Sequence, residues 1–309
     1  MAEKGNRYAI ILAGGEGTRF VPFSTPERPK QFLNVVDEKR TMIQQTFDRI
    51  SKFVPGDRCF VATNDRYEAL VAEQLPEIPP ENVVGEPKKK NTAPAIALAS
   101  ALIHRRDPEA VTLFTPADHY IPDGDGAAGI FKKAASFAAD GKYLVTFGIP
   151  PTFPSPEYGY IHEGNAIGGS GASGVKEFVE KPDVPTAQGY MDSGHYYWNS
   201  GMFVWRTSAL LEAVGRYLPE MAEQLSTLKL DSKGGADQGW VNKFFDEVQS
   251  ISIDYGVMEK ARNVVVFPFP VEWSDIGTWQ SLAEMAERFK ITLPAVVQGH
   301  LNDQLKKGR

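Results

Sequence analysis

Tyr8-Ala9-Ile10-Ile11-Leu12-Ala13-Gly14-Gly15-Glu16-Gly17-Thr18-Arg19 decides the fold. Residues 8–12 are apolar without a break, and a glycine-rich turn follows at once. A strand apolar on both alternations is covered on both faces, which suits a parallel sheet better than a one-sided antiparallel one. Gly14, Gly15 and Gly17 let backbone N–H groups approach an anion closely, because no Cβ intervenes. Arg19 can fork two donors onto phosphate oxygens, and Lys30 in Pro29-Lys30 supplies a compact positive charge. In open α/β sheets such a loop lies at the carboxyl ends of the strands, where ligands bind. Two familiar phosphate motifs fail on spacing. A dinucleotide fingerprint counted from Gly15 ends on Phe20 instead of glycine, and the Gly-Lys-Ser/Thr of a P-loop is absent. The bland alternative is a tight turn flanked by two solvated cations.

Outward from this stretch, residues 59–63, 111–115 and 143–149 are further apolar runs. Helical stripes lie between them: Ile43, Phe47, Ile50 and Val54 form one, and Ile130, Phe131, Ala134, Phe137 and Ala138 another. Residues 94–103 are apolar all round and predict a deeply buried helix. Alternation of this kind predicts a Rossmann-like α/β fold, an open, mixed and mostly parallel sheet with helices on both faces. Later in the chain, residues 158–162 and 174–181 read as a strand pair joined by the glycine-rich stretch 168–174. Residues 201–206 form another strand, followed by a helix with Leu210, Leu211, Val214, Tyr217 and Leu218 on its apolar face. A late buried strand spans 263–269 and a final helix 279–289. Residues 1–290 are expected to make one domain, and 291–309 a short tail.

Composition narrows the function. With 309 residues, 42% hydrophobic and 23% charged, the chain has an ordinary globular balance. A domain of this size buries roughly 75% of its unfolded surface, so its core needs no disulfide or structural metal. Cys59, the single cysteine, is expected to be a buried structural thiol. No signal-like segment opens the sequence, and no apolar run approaches the ~20 residues that span a bilayer, so a cytoplasmic location without membrane contact is expected. The net charge of −6 argues against nucleic acid as a partner but leaves room for a local pocket that takes small anions.

Two acidic residues follow buried strands. Asp118 lies just past residues 111–115, and Asp275 lies in Trp273-Ser274-Asp275-Ile276-Gly277. Both are expected to project toward the edge that carries the glycine loop. Two carboxylates near phosphates suit Mg²⁺, a hard ion that takes oxygen ligands. The structural alternatives are a helix N-cap for Asp275 and a turn residue for Asp118. His119 reads as structural, because no second histidine is spaced to make a zinc site. Glu180 and Asn199 could hydrogen-bond sugar hydroxyls and Lys181 could meet a sugar phosphate, although exposed Glu-Lys pairs are commonly just solvated.

Taken together these residues resemble the sugar-phosphate nucleotidyltransferase family and, within it, the mannose-1-phosphate guanylyltransferase branch. The resemblance runs from about Tyr8 to Arg288. It is carried by residues 12–19, Pro29-Lys30-Gln31-Phe32, Glu86-Pro87, Asn91-Thr92-Ala93-Pro94-Ala95, Ala117-Asp118-His119, Phe147-Gly148-Ile149 and Tyr158-Gly159-Tyr160-Ile161. Glu180-Lys181-Pro182, Trp198-Asn199-Ser200-Gly201-Met202-Phe203 and residues 273–277 complete it. The resemblance implies the nucleotide-diphospho-sugar transferase fold, with GTP and mannose 1-phosphate as substrates and GDP-mannose and pyrophosphate as products. It assigns Gly14, Gly15, Gly17, Thr18, Glu86, Asn91 and Thr92 to the nucleotide, and Gly148, Gly159, Glu180 and Asn199 to the sugar. Arg19, Lys30 and Lys181 would act on the phosphates, and Asp118 and Asp275 would hold Mg²⁺. Val21 departs from the aromatic residue common in this branch. The longer C-terminal extension of many relatives, a β-helix or an isomerase domain, is not expected after residues 291–309, and a homodimer stays open. The rival readings are another sugar or base, a non-catalytic sugar-nucleotide-binding regulator, and an oxidoreductase on a similar sheet.

Overall fold

Successive residues of the opening strand point into different cores. Ala9, Ile11 and Ala13 enter one buried cluster, whereas Ile10 enters another. The next strand repeats the division, with Cys59 and Val61 on the first side and Phe60 and Ala62 on the second. Unbroken apolar character therefore means a sheet covered on both faces.

The computed structural model describes residues 6–15 and 20–307, with side chains through residue 303. Its sheet comprises β1 (Arg7–Ala13), β2 (Cys59–Asn64), β3 (Val83–Glu86), β4 (Val111–Pro116), β5 (Leu144–Ile149), β6 (Tyr160–Ile167), β7 (Ala172–Val179), β8 (Tyr196–Arg206) and β9 (Val264–Pro268). The spatial order is β3-β2-β1-β4-β8-β5-β9-β7-β6. β3, β2, β1 and β4 run parallel, as do β5 and β9. β8 inserts antiparallel between β4 and β5, and β6 and β7 pair antiparallel at the far edge. The expected mixed sheet is thus present, its parallel half carrying the glycine turn.

The helices are α1 (Met42–Ile50), α2 (Glu68–Gln74), α3 (Thr92–Arg106), α4 (Gly124–Ala138), α5 (Val184–Ser193), α6 (Thr207–Tyr217), α7 (Pro219–Ser226), α8 (Gln238–Glu247), α9 (Trp279–Phe289) and α10 (Ala295–Lys307). α1 and α4 cover one face through Ile43, Phe47 and Phe131. α3 covers the other and is itself overlaid by α6 and α7. Every residue of α3 from Ala93 to Ile103 is buried, because both its sides are packed. Among the described residues no helix is long and apolar enough to cross a membrane.

Two elements go beyond what was read from the sequence. α9 is followed by α10, whose Val297 and Leu301 are buried in a third cluster with Phe20 and Ile276, so the residues after 290 include a packed helix. β3 also joins the sheet edge, a strand too short and mixed for its apolar pattern to announce.

Candidate active site

The carboxyl ends of β1, β2, β3 and β4 open onto a cavity of about 330 Å³ lined by Gly14, Gly15, Asn64, Arg66, Glu86 and Asn91, among others. A neighbouring cavity of about 350 Å³ is lined by Gly159, Glu180, Asn199, Tyr255, His119 and Asp275, among others. Asn91, Pro116, Gly201 and Asp254 line both.

Backbone geometry is strained at this junction. Asn91 has φ 64° and ψ −168°, a region essentially reserved for glycine, and its side chain caps α3 by accepting from Thr92 N–H. Ile276, next to Asp275, and Lys181, next to Glu180, also have positive φ. Such conformations cost of order 1–3 kcal/mol each and collect where a site fixes the backbone.

The glycine turn is held from below. Gln31 Nε2 donates to the carbonyls of Ala13 (2.8 Å) and Gly15 (2.7 Å), so the buried amide commits both protons to the loop. Gly14 packs against Glu86, because a Cβ there would lie 3.2 Å from Glu86 Oε1. Burial pushes the Glu86 carboxyl up to about 8. Gly17, Thr18 and Arg19 lie outside the described residues.

Lys30 sits elsewhere than expected. Its Nζ donates to the carbonyls of Asp275 (3.0 Å) and Ile276 (2.8 Å) and pairs with Asp118 Oδ2 at 2.7 Å, which saturates its three protons. It is buried and lines neither cavity. The lysine therefore clamps the two acidic segments. A β-bridge between Tyr120 and Ser274 pins the same segments together. Burial alone would raise the Asp118 carboxyl, but the charge of Lys30 and its hydrogen bond lead the effects that more than offset it and hold the group below its ordinary value. Asp275 Oδ1 accepts from the Tyr158 hydroxyl at 3.0 Å. Asp275 is not a helix cap, since Thr278 caps α9. Among the described residues no group of three or more His, Cys, Asp or Glu side chains gathers as a metal cage.

His119 has a defined tautomer. Trp273 Nε1–H donates to its Nδ1 at 3.1 Å, so the ring proton is on Nε2. Burial depresses its pKa to about 4, which keeps the ring neutral. A protonated Nε2 presents a donor and cannot ligate a metal.

The other expected residues divide. Glu86, Asn91 and Thr92 line the first cavity, while Gly159, Glu180 and Asn199 line the second. Thr92 also accepts from Ile253 N–H through its hydroxyl. Gly148 belongs to neither cavity: it is buried in β5, where a Cβ would lie 2.6 Å from Tyr197 Cβ and 2.7 Å from Val266 Cγ2. Lys181 is exposed and lines neither cavity, its Nζ 3.7 Å from Glu180 Oε1. Sequence reasoning missed Arg66 and Lys89 beside the first cavity, Tyr158 and Trp273 beside the second, and Asp254 between them. Asn64 and Arg66 lie at and just past the end of β2, so the carboxyl-end rule applied to every strand would have found them. Cys59 is fully buried, and burial raises its thiol to about 12, as befits an inert core residue.

Comparison with known proteins gives a consistent result. A profile of the Nucleotidyl transferase family matches residues 8–290. The xanthan biosynthesis protein XanB of Xanthomonas campestris pv. campestris (strain B100) is 43% identical over 282 residues, covering 90% of this chain and 59% of that protein. The mannose-1-phosphate guanylyltransferase of Escherichia coli (strain K12) is 39% identical over 289 residues, again covering 90% and 59%. The chain thus spans about three-fifths of the length of these curated relatives. Among solved structures, one described as mannose-1-phosphate geranyltransferase from Thermus thermophilus superposes with a TM-score of 0.80 at 32% identity, covering 91% of this chain and 79% of that one.

Proposed function

Because the chain belongs to the nucleotidyl transferase family, we propose that it transfers a guanylyl group from GTP to mannose 1-phosphate, giving GDP-mannose and pyrophosphate. The observation that carries this reading is the pair of adjoining cavities, the second lined by Asp275, with Asp118 tied to the Asp275 backbone through Lys30. One cavity is of nucleotide character, with a glycine turn, Arg66 and Lys89; the other is lined by sugar-binding types, Glu180 and Asn199. The names of the relatives from Escherichia coli and Thermus thermophilus favour mannose 1-phosphate.

In this reaction an oxygen of the sugar 1-phosphate attacks the α-phosphorus of GTP, and the bond from that phosphorus to the bridging oxygen of pyrophosphate breaks. The attacking oxygen is already anionic at neutral pH, so the site needs no general base. What it must supply is alignment and charge neutralisation. Glu86, once ionised, offers two acceptors that match the N1–H and N2–H donors of guanine. Arg19 is assigned to the departing pyrophosphate, and Lys181 to the phosphate of the incoming sugar. Lys30 holds Asp118 and the Asp275 backbone in register, and Tyr158 orients the Asp275 carboxylate. Asp118 and Asp275 would hold Mg²⁺ through their carboxylate oxygens, the hard donors that ion takes. When bound, that ion lowers the repulsion between the two anionic substrates.

The test is pyrophosphate release with Mg²⁺, crossing four nucleoside triphosphates against mannose, glucose and N-acetylglucosamine 1-phosphates. Release with GTP and mannose 1-phosphate is expected, and Asp118→Ala should slow it by about 10²–10³-fold. Release with a different pair would retain the chemistry and overturn the substrates. Sugar-nucleotide binding without release from any pair would favour a regulatory protein.

A further inference from the structure

Asp254 belongs to none of the motifs that announce the site, yet it lines both cavities. It opens a single π-helical turn, Asp254–Met258, an irregularity frequent at functional sites. The turn is hung from the nucleotide side. Ile251 N–H donates to Lys90 O, Ala93 N–H to Ile251 O, and Ile253 N–H to Thr92 Oγ1. The carboxylate is held from the sugar side, because Asn199 Nδ2 donates to its Oδ1 at 2.9 Å. Asn199 Oδ1 in turn accepts from Gly201 N–H, so the amide orientation is fixed.

Of the four residues shared by the two cavities, Asp254 alone is ionisable. A carboxylate at that boundary repels phosphate, so the group it faces must be a donor, and hydroxyls are the donors a sugar nucleotide offers there. The ribose and the hexose both carry hydroxyls. The hexose is favoured because the partner that orients Asp254 is Asn199, which together with Glu180 lines the sugar cavity and not the nucleotide cavity. Burial, with the nearby charge of Glu180, outweighs the Asn199 hydrogen bond and raises the Asp254 carboxyl above its ordinary range.

The geometry points to Asp254 as a specificity-determining residue that accepts hydrogen bonds from hydroxyls of the hexose in the sugar 1-phosphate. Its seat on the nucleotide loop at Thr92 makes the sugar pocket depend on the nucleotide side. This inference rests on the proposed sugar-nucleotide chemistry.

Calorimetric affinities for GDP-mannose and for GDP, measured on the full chain and on Asp254→Asn and Asp254→Ser, test it. In the wild type GDP-mannose should bind more tightly than GDP. Both variants should lose most of that difference, about 10–100-fold in GDP-mannose affinity, while keeping their affinity for GDP within about threefold. Retained GDP affinity also shows that the variants are folded. An unchanged preference for GDP-mannose would overturn the inference while leaving the proposed function intact. So would a parallel loss of GDP affinity together with discrimination between GDP and its 2′-deoxy analogue, which would move Asp254 to the ribose. A wild type that binds neither ligand and releases no pyrophosphate would overturn the proposed function, and the inference with it.

Discussion

Glu86, in the proposed role of meeting the guanine base, would couple recognition to pH. It ends β3, is 9% exposed, and carries a carboxyl that burial lifts to about 8. Without ligand it therefore holds its proton through the neutral range, whereas accepting from the two guanine donors requires the carboxylate. Binding must release a proton, so GTP affinity should rise as pH climbs from 6 toward 8, by at most about tenfold per unit, and level off above. Calorimetry in buffers of different ionisation enthalpy would count that proton, and Glu86→Gln should abolish both the slope and the release. The sign for folding is opposite. A carboxyl raised from 4.5 to about 8 in the folded state favours folding most below 4.5, and that contribution is lost as pH rises through 8. A GTP affinity that falls between pH 6 and 8 would remove Glu86 from the base. Nothing local in Gly85-Glu86-Pro87 foretells this burial. It comes from the glycine turn lying across the carboxyl, a contact made between distant parts of the chain.

At the scale of elements, Gly148 separates packing from binding. Its place beside Phe147 and Ile149 in a family-like motif assigns it to the sugar, but its surroundings are Tyr197 and Val266, at an irregularity in the β5–β8 register between Thr146 and Gly148. A glycine inside a strand marks a bulge or a close approach, and both hold here. Gly148→Ala should therefore cost about 1–3 kcal/mol through overpacking, seen as a lower thermal midpoint, with the KM for mannose 1-phosphate unchanged. A raised KM at unchanged stability would restore the sugar role. The elements themselves were legible in proportion to their apolar continuity. β1, β2, β4, β5 and β9 were readable because every position is buried or nearly so, and α3 because it is enclosed on all sides. β3 was not, since half of its four residues are Gly85 and Glu86. β8 begins at Tyr196, five residues before the expected start, because its first half pairs with β6 while lining the sugar cavity and so carries polar Asn199 and Ser200. Asp118 and Asp275 could be located from the buried strands they follow, whereas Glu86 was reached through the family resemblance alone. Asp254 and the role of Lys30 depend on which segments meet in space, and spacing along the chain carries no trace of that.

For the molecule as a whole, the residues after 290 brace the segments on either side of the strand ends, at Phe20 and Ile276. The third buried cluster joins Phe20, Val35, Met42 and Ile276 to Leu282, Met285, Leu293, Val297 and Leu301. Trp279 lies at its rim, its ring 4.9 Å from Phe20 and 4.6 Å from His300, while its Nε1 donates to Val21 O at 3.3 Å. His300 also meets Phe23 edge-on at 5.2 Å. α10 thus presses, through α9, on residues 20–23, the backbone that leaves the glycine turn, and on Ile276 beside Asp275. A helix that looks like a tail in sequence is therefore packed against residues 20–23, which follow the glycine turn, and against Ile276 beside Asp275. Leu301 is 3% exposed, and Leu301→Ala should cost about 2–5 kcal/mol by emptying its place in this cluster. For a chain of this size each kcal/mol corresponds to about 2–4 °C, so the midpoint should fall visibly. If the packing also positions the loop, GTP binding should weaken by roughly two- to thirtyfold, the span of couplings carried through packed contacts. The affinity for mannose 1-phosphate, whose cavity α10 does not line, should hold. Calorimetry well below the midpoint, where the variant is fully folded, keeps the two effects apart. A lower midpoint with unchanged GTP affinity would reduce α10 to a cover for apolar surface. A selective loss of GTP affinity would make the third cluster part of the machinery that presents the loop.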